Sequence, residues 1–243
     1  AVMGTTFGCV QCHSHPYDPF KHEDYYKFMA FFNDTRDEDT EGDYPKLRTF
    51  DDTLQQELST VVNWVKQNVS AQKSKEVYTF LKTWQPSYNS LTCDSFTNSE
   101  LTDTKWLAFR NNAVSRLKHV DLTNRNTLIY RFLCWPQGGG LWQIHLDSAS
   151  GPAIASITFN AGKNDGWQFA EAPIQPVNGI HDLIFTYSNP KLTDPLFNAV
   201  IFDWFYFTET FPGSAKPGYV AIKNSFWKLL KADVSSTPIM MDN

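Results

Sequence analysis

From Tyr88 to Thr208 the chain runs in short segments rich in β-branched and aromatic residues, each closed off by a cluster of Gly, Pro or Asn. Thr127–Leu133, Leu141–Leu146, Ala153–Phe159, His181–Tyr187 and Ala199–Phe207 are the clearest. In the second of these the apolar Trp142, Ile144 and Leu146 alternate with Gln143 and His145, the period of a strand buried on one side. Strands this short at such regular intervals predict a sandwich or barrel. Aromatic residues make up 15% of the chain, with eight Trp and nineteen Phe, which suits both a sandwich core and flat platforms for a ligand.

The residues before Pro86 follow a different period. Tyr25, Phe28, Met29 and Phe32 fall at i, i+3, i+4 and i+7, so a helix is expected from about Lys21, with Glu23 and Asp24 in its first turn. Asn33 to Asp43 carries six carboxylates and reads as a solvated linker. A second helix is expected behind Asp52 as N-cap with Gln55 three positions on, placing Leu54, Leu58, Val61, Val62, Val65 and Val69 on one face. A third, Lys75 to Trp84, shows Val77, Phe80, Leu81 and Trp84 at helical spacing. After Thr210 a short helix at Ala221–Lys231 and an extended Ser236–Met240 follow.

The chemistry is concentrated near the amino end, in Cys9-Val10-Gln11-Cys12-His13. Two thiols three positions apart with an imidazole directly after form the pattern of covalent c-type haem attachment. Each cysteine makes a thioether with one vinyl group, and the adjacent His13 is delivered beneath the iron as the proximal ligand. The alternatives are a structural zinc site, since His15 and His22 lie close by, or an ordinary disulfide. The next residues, Ser14 to Pro19, contain two prolines and so form an irregular loop around the site. His15, tethered to the same side as His13, is expected to hydrogen-bond nearby or to a propionate. For the second axial position Met240 is the first candidate, followed by Met241, Met29 and His22. The remaining thiols, Cys93 and Cys134, either pair in an oxidising compartment or stay as two separate buried thiols.

Length and charge bound the rest. With 243 residues, 42% of them hydrophobic, the chain can fill one large core or two modest ones. Twenty-one basic against 26 acidic residues, net −5, leave no long basic stripe, which argues against nucleic acid as a partner. There is no run of eighteen apolar residues, and hence no transmembrane segment is expected. Ala1-Val2-Met3-Gly4 has the character neither of an initiator nor of a signal peptide, while covalent haem is attached outside the bacterial cytoplasm. The expectation is therefore a piece of an exported, periplasmic or extracellular, bacterial protein.

Two stretches resemble known families. Gly4-Thr5-Thr6-Phe7-Gly8, the C-x-x-C-H motif, Ser14-His15-Pro16-Tyr17-Asp18-Pro19, Asp24-Tyr25-Tyr26 and Phe31-Phe32-Asn33 resemble the planctomycete-type cytochrome c family, catalogued as domain of unknown function 1549. In those large exported proteins the motif lies in mid-chain, and Thr237-Pro238-Ile239-Met240 resembles the segment where they resume after an insertion. The stretch between is similar to carbohydrate-binding module family 6. The similarity is carried by Val120-Asp121-Leu122-Thr123, Gly138-Gly139-Gly140, Leu146-Asp147-Ser148, Gly166-Trp167, His181-Asp182-Leu183 and Phe202-Asp203-Trp204-Phe205.

This resemblance implies a jelly-roll sandwich that in relatives binds polysaccharide between two aromatic rings, with an asparagine at the loop end. Asn198 occupies that asparagine's place. The loop Asn111–Val114, where relatives carry Tyr or Trp, has no ring, and Trp135 either substitutes for it or is a buried wedge. Trp167 and Trp204 read as core. Relatives often hold a structural calcium, and Asp203 aligns with one of its ligands.

The expected architecture is α+β and multi-domain, a small helical c-type haem domain plus a jelly-roll β-sandwich. Residues 1–87 begin the haem domain, 88–209 form the inserted sandwich, and 210–243 return to complete the haem domain. The expected function is electron transfer by a mono-haem cytochrome c domain, with polysaccharide, an unknown redox partner and the rest of the parent chain as partners. The alternative is a glycan-binding module with a structural zinc site and no haem. No G-x-S-x-G elbow, H-E-x-x-H pair or poised carboxylate pair favours a hydrolase. The haem reading predicts a Soret band that survives acid–acetone extraction when the chain is matured in a host competent for cytochrome assembly. A colourless chain with the mass of its amino acids alone contradicts it.

Overall fold

The computed structural model describes residues 10–15, 17, 19, 21–33, 45–161 and 166–239, with side chains of the first helix described as far as Phe28. The chain divides into two compact units, 1–41 and 42–243. In the first, helix α1 runs His22–Asn33, as its apolar spacing predicts. Phe28 of the apolar stripe is exposed, and Met29 and Phe32 fall outside the described side chains.

In the second unit the order is β1 (Lys46–Arg48), α2 (Asp52–Asn68), α3 (Ala71–Thr83), β2 (Tyr88–Asn89), β3 (Asp94–Thr102), β4 (Trp106–Asp121), β5 (Arg125–Cys134), β6 (Gly140–Leu146), β7 (Ala153–Phe159), β8 (Gln168–Val177), β9 (Ile180–Ser188), β10 (Val200–Thr208), α4 (Tyr219–Lys231) and β11 (Ser236–Pro238). The N-cap of α2 is Asp51, not Asp52: its carboxylate accepts the Leu54 N–H at 2.8 Å. Helix α3 starts earlier than its apolar spacing suggests because Ser70 caps it, accepting from Lys73 N–H, and it ends where Trp84 turns left-handed at φ 57°.

Two antiparallel layers share the long strand β4. Strand β3 pairs along it from Trp106 to Arg116, its second half pairs also with β9, and from there the sheet continues through β6 to β7. Leu107–Phe109 pair also with β10, which continues to β5 and β8 and takes β2 on its flank. This is the β-sandwich expected from the strand pattern. Its core packs Trp142, Phe185, Phe202 and Phe205 from facing layers.

The β2–β10–β5–β8 layer is covered by the sandwich core on one side and by helices over part of the other. A bulge in β10 between Phe202 and Trp204 leaves Asp203 unopposed and reverses the phase of the strand. Phe202, Phe205 and Phe207 therefore face the sandwich core, while Trp204 faces outward with Ile129 of β5. Against that outer face pack α2, α3 and α4 through residues such as Val61, Phe80, Phe226 and Leu229. Residues 45–87 and 210–239, which the sequence pattern associates with a haem domain, thus lie in the same compact unit as the sandwich.

Arg48 holds these helices. It is fully buried, donates to the Leu81 carbonyl at the end of α3 (2.8 Å), and reaches the carbonyls of Leu229 (3.0 Å) and Ala232 (2.8 Å) at the end of α4. The last carbonyls of a helix have no partner within it, so one guanidinium satisfies two helix ends and matches their partial negative charge. Strand β1 carries Arg48 there by pairing with β11, Arg48 opposite Ser236. Replacing Arg48 by Met is expected to lower stability by about 3–5 kcal/mol, since it strands several buried carbonyls. In a thermal melt that is a fall of about 10 °C, and Arg48→Lys recovers only part of it because an ammonium cannot span two helix ends. A Met variant melting within about 1 °C of the parent contradicts this role.

Candidate functional site

Alternation along β5 sends Tyr130, Phe132 and Cys134 into the core and Arg131 and Leu133 outward, with Trp135 next in phase. Leu133 pairs with Ile201 of β10. Extending the pairing of Phe132 with Gln168 by one residue sets Trp167 beside Leu133. Trp106, at the head of β4, meets Trp167 with ring centroids 5.6 Å apart and planes tilted by 51°. Trp135, Leu133, Ile201, Trp167 and Trp106 are all partly exposed. They form a strip of apolar, mostly aromatic surface on the outer face of the layer that the helices cover elsewhere.

The strip is braced from below. The Arg131 guanidinium lies 4.5 Å from the Trp167 ring centre and 5.1 Å from that of Trp84, and it pairs with the buried carboxylate of Asp203. Trp84 in turn stacks with Arg48, and Arg48 with Phe50, each at 5.0 Å. Cations and rings therefore alternate from the helix-capping arginine to the strip. Asp203, expected from the family likeness as a calcium ligand, is the bulged residue of β10, and its carboxylate accepts from Arg131.

Polar groups gather at one end of the strip. Ala199 donates to the Phe109 carbonyl at 2.8 Å and accepts from Trp135 N–H at 3.1 Å, so Asn198 sits at the same end of the sheet as Arg110 and Trp135. Asn198 Oδ1 accepts from Arg110 Nε at 3.0 Å, and its Nδ2 donates to Glu100 Oε1 at 3.3 Å. The hydrogen bond from Asn198, and then that from Arg110, hold the Glu100 carboxyl below the usual carboxylate range. A primary amide has two N–H groups and two lone pairs, so Asn198 keeps one of each for a ligand. Gly138 closes this end: a Cβ there would stand 2.6 Å from the Ala199 carbonyl, so the loop can press against Asn198's neighbour only as glycine. Asn111, in the loop expected to lack a ring, uses its side chain to accept Asn189 N–H at 2.8 Å.

Of the residues singled out by sequence, Asn198 and Trp135 are thus brought together, and Trp204 is core as expected. Trp167 is not core but part of the strip. Trp106 was signalled by nothing except its residue type, because only the fold brings the start of β4 to the start of β8. Cys93 and Cys134 are both free and buried, so they do not form the disulfide considered as one alternative. Burial raises both thiol pKa values.

In the first unit Cys12 is a free, exposed thiol and His13 is exposed. His13 Nδ1 lies 2.9 Å from the Ser14 carbonyl. A carbonyl only accepts, so Nδ1 carries the proton and the Nε2 lone pair is left for a metal, the arrangement that fixes a ligating imidazole. Cys12 and His13, the described donors of the motif, are both of the types that haem attachment uses. His15 Nδ1 accepts Tyr17 N–H at 3.4 Å. Cys9 and Met240 lie outside the described residues. Among the described residues no group of three or more His, Cys, Asp or Glu side chains could hold a metal ion, and no helix is long and apolar enough to cross a membrane.

Residues 1–37 match the family model described as PSCyt2, protein of unknown function (DUF1549). No curated protein matches the chain. Among solved structures the chain is similar to a family 6 carbohydrate-binding module from Clostridium stercorarium in complex with cellobiose, at 20% identity and TM-score 0.42 over 51% of this chain and 93% of that one. It is similar to a family 6 module from Clostridium cellulolyticum in complex with xylose, at 21% identity and TM-score 0.39 over 50% and 92%. A β-1,3-glucan-binding module of the same family from Bacillus halodurans is 15% identical, with TM-score 0.40 over 50% and 94%.

Proposed function

We propose that the sandwich is a glycan-binding module and that its ligand lies along the strip ending at Asn198. The observation that carries this reading is the partly exposed indole pair of Trp106 and Trp167, on the face where Trp135 is next in phase, with the hydrogen-bonded amide of Asn198 at the end of the sheet that Trp135 also occupies. A pyranose ring has an apolar face that stacks on an indole, and vicinal hydroxyls that need a donor and an acceptor side by side. Aromatic surface with a few placed polar groups is the common make-up of such sites. The strip is a face rather than a cleft, which suits a polymer over a free sugar.

A second activity is favoured by the tautomer of His13. In this reading Cys9 and Cys12 would hold one haem c, and His13 would be the iron ligand that the motif itself supplies. When bound, the haem supplies one-electron chemistry. The chain's own residues attach it, fix the imidazole through Ser14, and leave exchange with a redox partner to the exposed side of the motif. The whole would be a segment of an exported protein in which the sandwich anchors the redox centre, or the rest of the parent chain, to polysaccharide.

Affinity electrophoresis tests the glycan reading, with cello-, xylo- and β-1,3-gluco-polymers as the panel because those sugars are named for the similar modules. The parent chain is expected to be retarded by at least one. Trp135→Ala is expected to weaken retention at least about tenfold without loss of folding, as truncating a central aromatic anchor does. Unretarded migration on every polymer, or equal retention of parent and variant, contradicts the reading.

A further inference from the structure

Val10 and Gln11, the two residues between the cysteines, each offer a backbone carbonyl, and a side chain of α1 takes each of them. His22 Nδ1 donates to the Val10 oxygen at 2.9 Å, and the Tyr26 hydroxyl donates to the Gln11 oxygen at 3.3 Å. The two side chains stand at i and i+4 on one helix face. Their rings meet edge to face with centroids 4.9 Å apart. A third tie runs from His22 N–H to Ser14 Oγ at 3.2 Å, beyond the motif on its other side. Val10 is fully buried, whereas Cys12 and His13 are exposed. The turn is therefore held by its backbone, and its reactive side chains are left outward.

We propose that His22 and Tyr26 are positioning residues for haem attachment, locking the Val10–Gln11 turn of the motif so that Cys12 and His13 are presented together in a fixed arrangement. The proposal rests on the haem reading above. In attachment each thiol adds across a vinyl double bond: sulfur bonds to one carbon, the thiol proton goes to the other, and nothing is released or oxidised. Both additions must occur on one porphyrin, so a loose turn would have to be ordered between the first and the second, at a cost in conformational entropy. Helix α1 orders it beforehand. Neither side chain has to touch the porphyrin to do this.

The test uses the full chain expressed with a cytochrome c assembly system, and intact mass to read the ratio of haem-bearing to bare chain. Tyr26→Phe keeps the ring and removes the hydroxyl. His22→Asp presents only acceptors to a carbonyl, whereas His22→Asn returns an N–H close to where Nδ1 stood. Tyr26→Phe and His22→Asp are each expected to lower the loaded ratio about fivefold, the loss of one hydrogen bond, while His22→Asn stays within about twofold of the parent. On the bare chain, hydrogen exchange at residues 10–14 should quicken in the same two variants and not in His22→Asn. If the parent loads haem and the two variants load equally well, the positioning role is overturned while the haem reading stands. If the parent itself never loads, the haem reading fails and this proposal with it. A His22→Asn variant as poor as His22→Asp would show that bulk rather than the donated hydrogen bond matters, and would also overturn it.

Discussion

The guanidinium of Arg48 joins parts of the chain that are far apart in sequence, and the arrangement of the larger unit follows from it. It sits in a three-residue strand, yet it binds carbonyls from the ends of α3 and α4. A buried charge is costly to desolvate, and it is tolerated here because four carbonyl contacts and two aromatic faces replace the lost water. The pairing of β1 with β11 supplies the reach. With the helix ends so fixed, their apolar faces can lie against Trp204 and Ile129.

The same residue belongs to a stack that runs along the outer face of the layer. Phe50, Arg48, Trp84, Arg131 and Trp167 alternate ring and cation, with neighbouring members 4.5 to 5.1 Å apart. Asp203 neutralises Arg131 inside it, and the β10 bulge that exposes Asp203 to Arg131 is also what turns Trp204 toward the helices. The outer face thus has a part covered by helices, around Trp204 and Ile129, and a part that carries the partly exposed strip with Trp106 and Trp167. The second part remains partly open to solvent and is where a ligand can lie.

Much of this architecture was legible in the residues. Alternation identified β6 with its inward Trp142, Ile144 and Leu146, all buried, and the helical spacing of Leu58, Val61 and Val65 identified the packed face of α2. Chain order alone could not say against what that face packs. An apolar helix stripe looks the same whether a porphyrin or a sheet covers it, so the helices were assigned to a haem domain. Arg48 gave no signal, because a lone arginine in a short strand usually faces water. Trp167 reads as core because Trp is mostly buried, yet it lies one residue before β8 and is partly exposed. Asn198 stands out in the residues alone, but its partners Arg110 and Glu100 come from β4 and β3 and meet it only through the register.

The central claim is that a glycan lies on the open part of that outer face, and the eight tryptophans distribute themselves conveniently for testing it. A titration of the indole N–H resonances with a cello- or xylo-oligosaccharide reports each ring separately. The account predicts that the signals of Trp135, Trp167 and Trp106 move with saturation while those of the buried Trp142 stay in place. Signals that do not move at any oligosaccharide concentration, or movement confined to Trp64 and Trp227 on the helices, would contradict it.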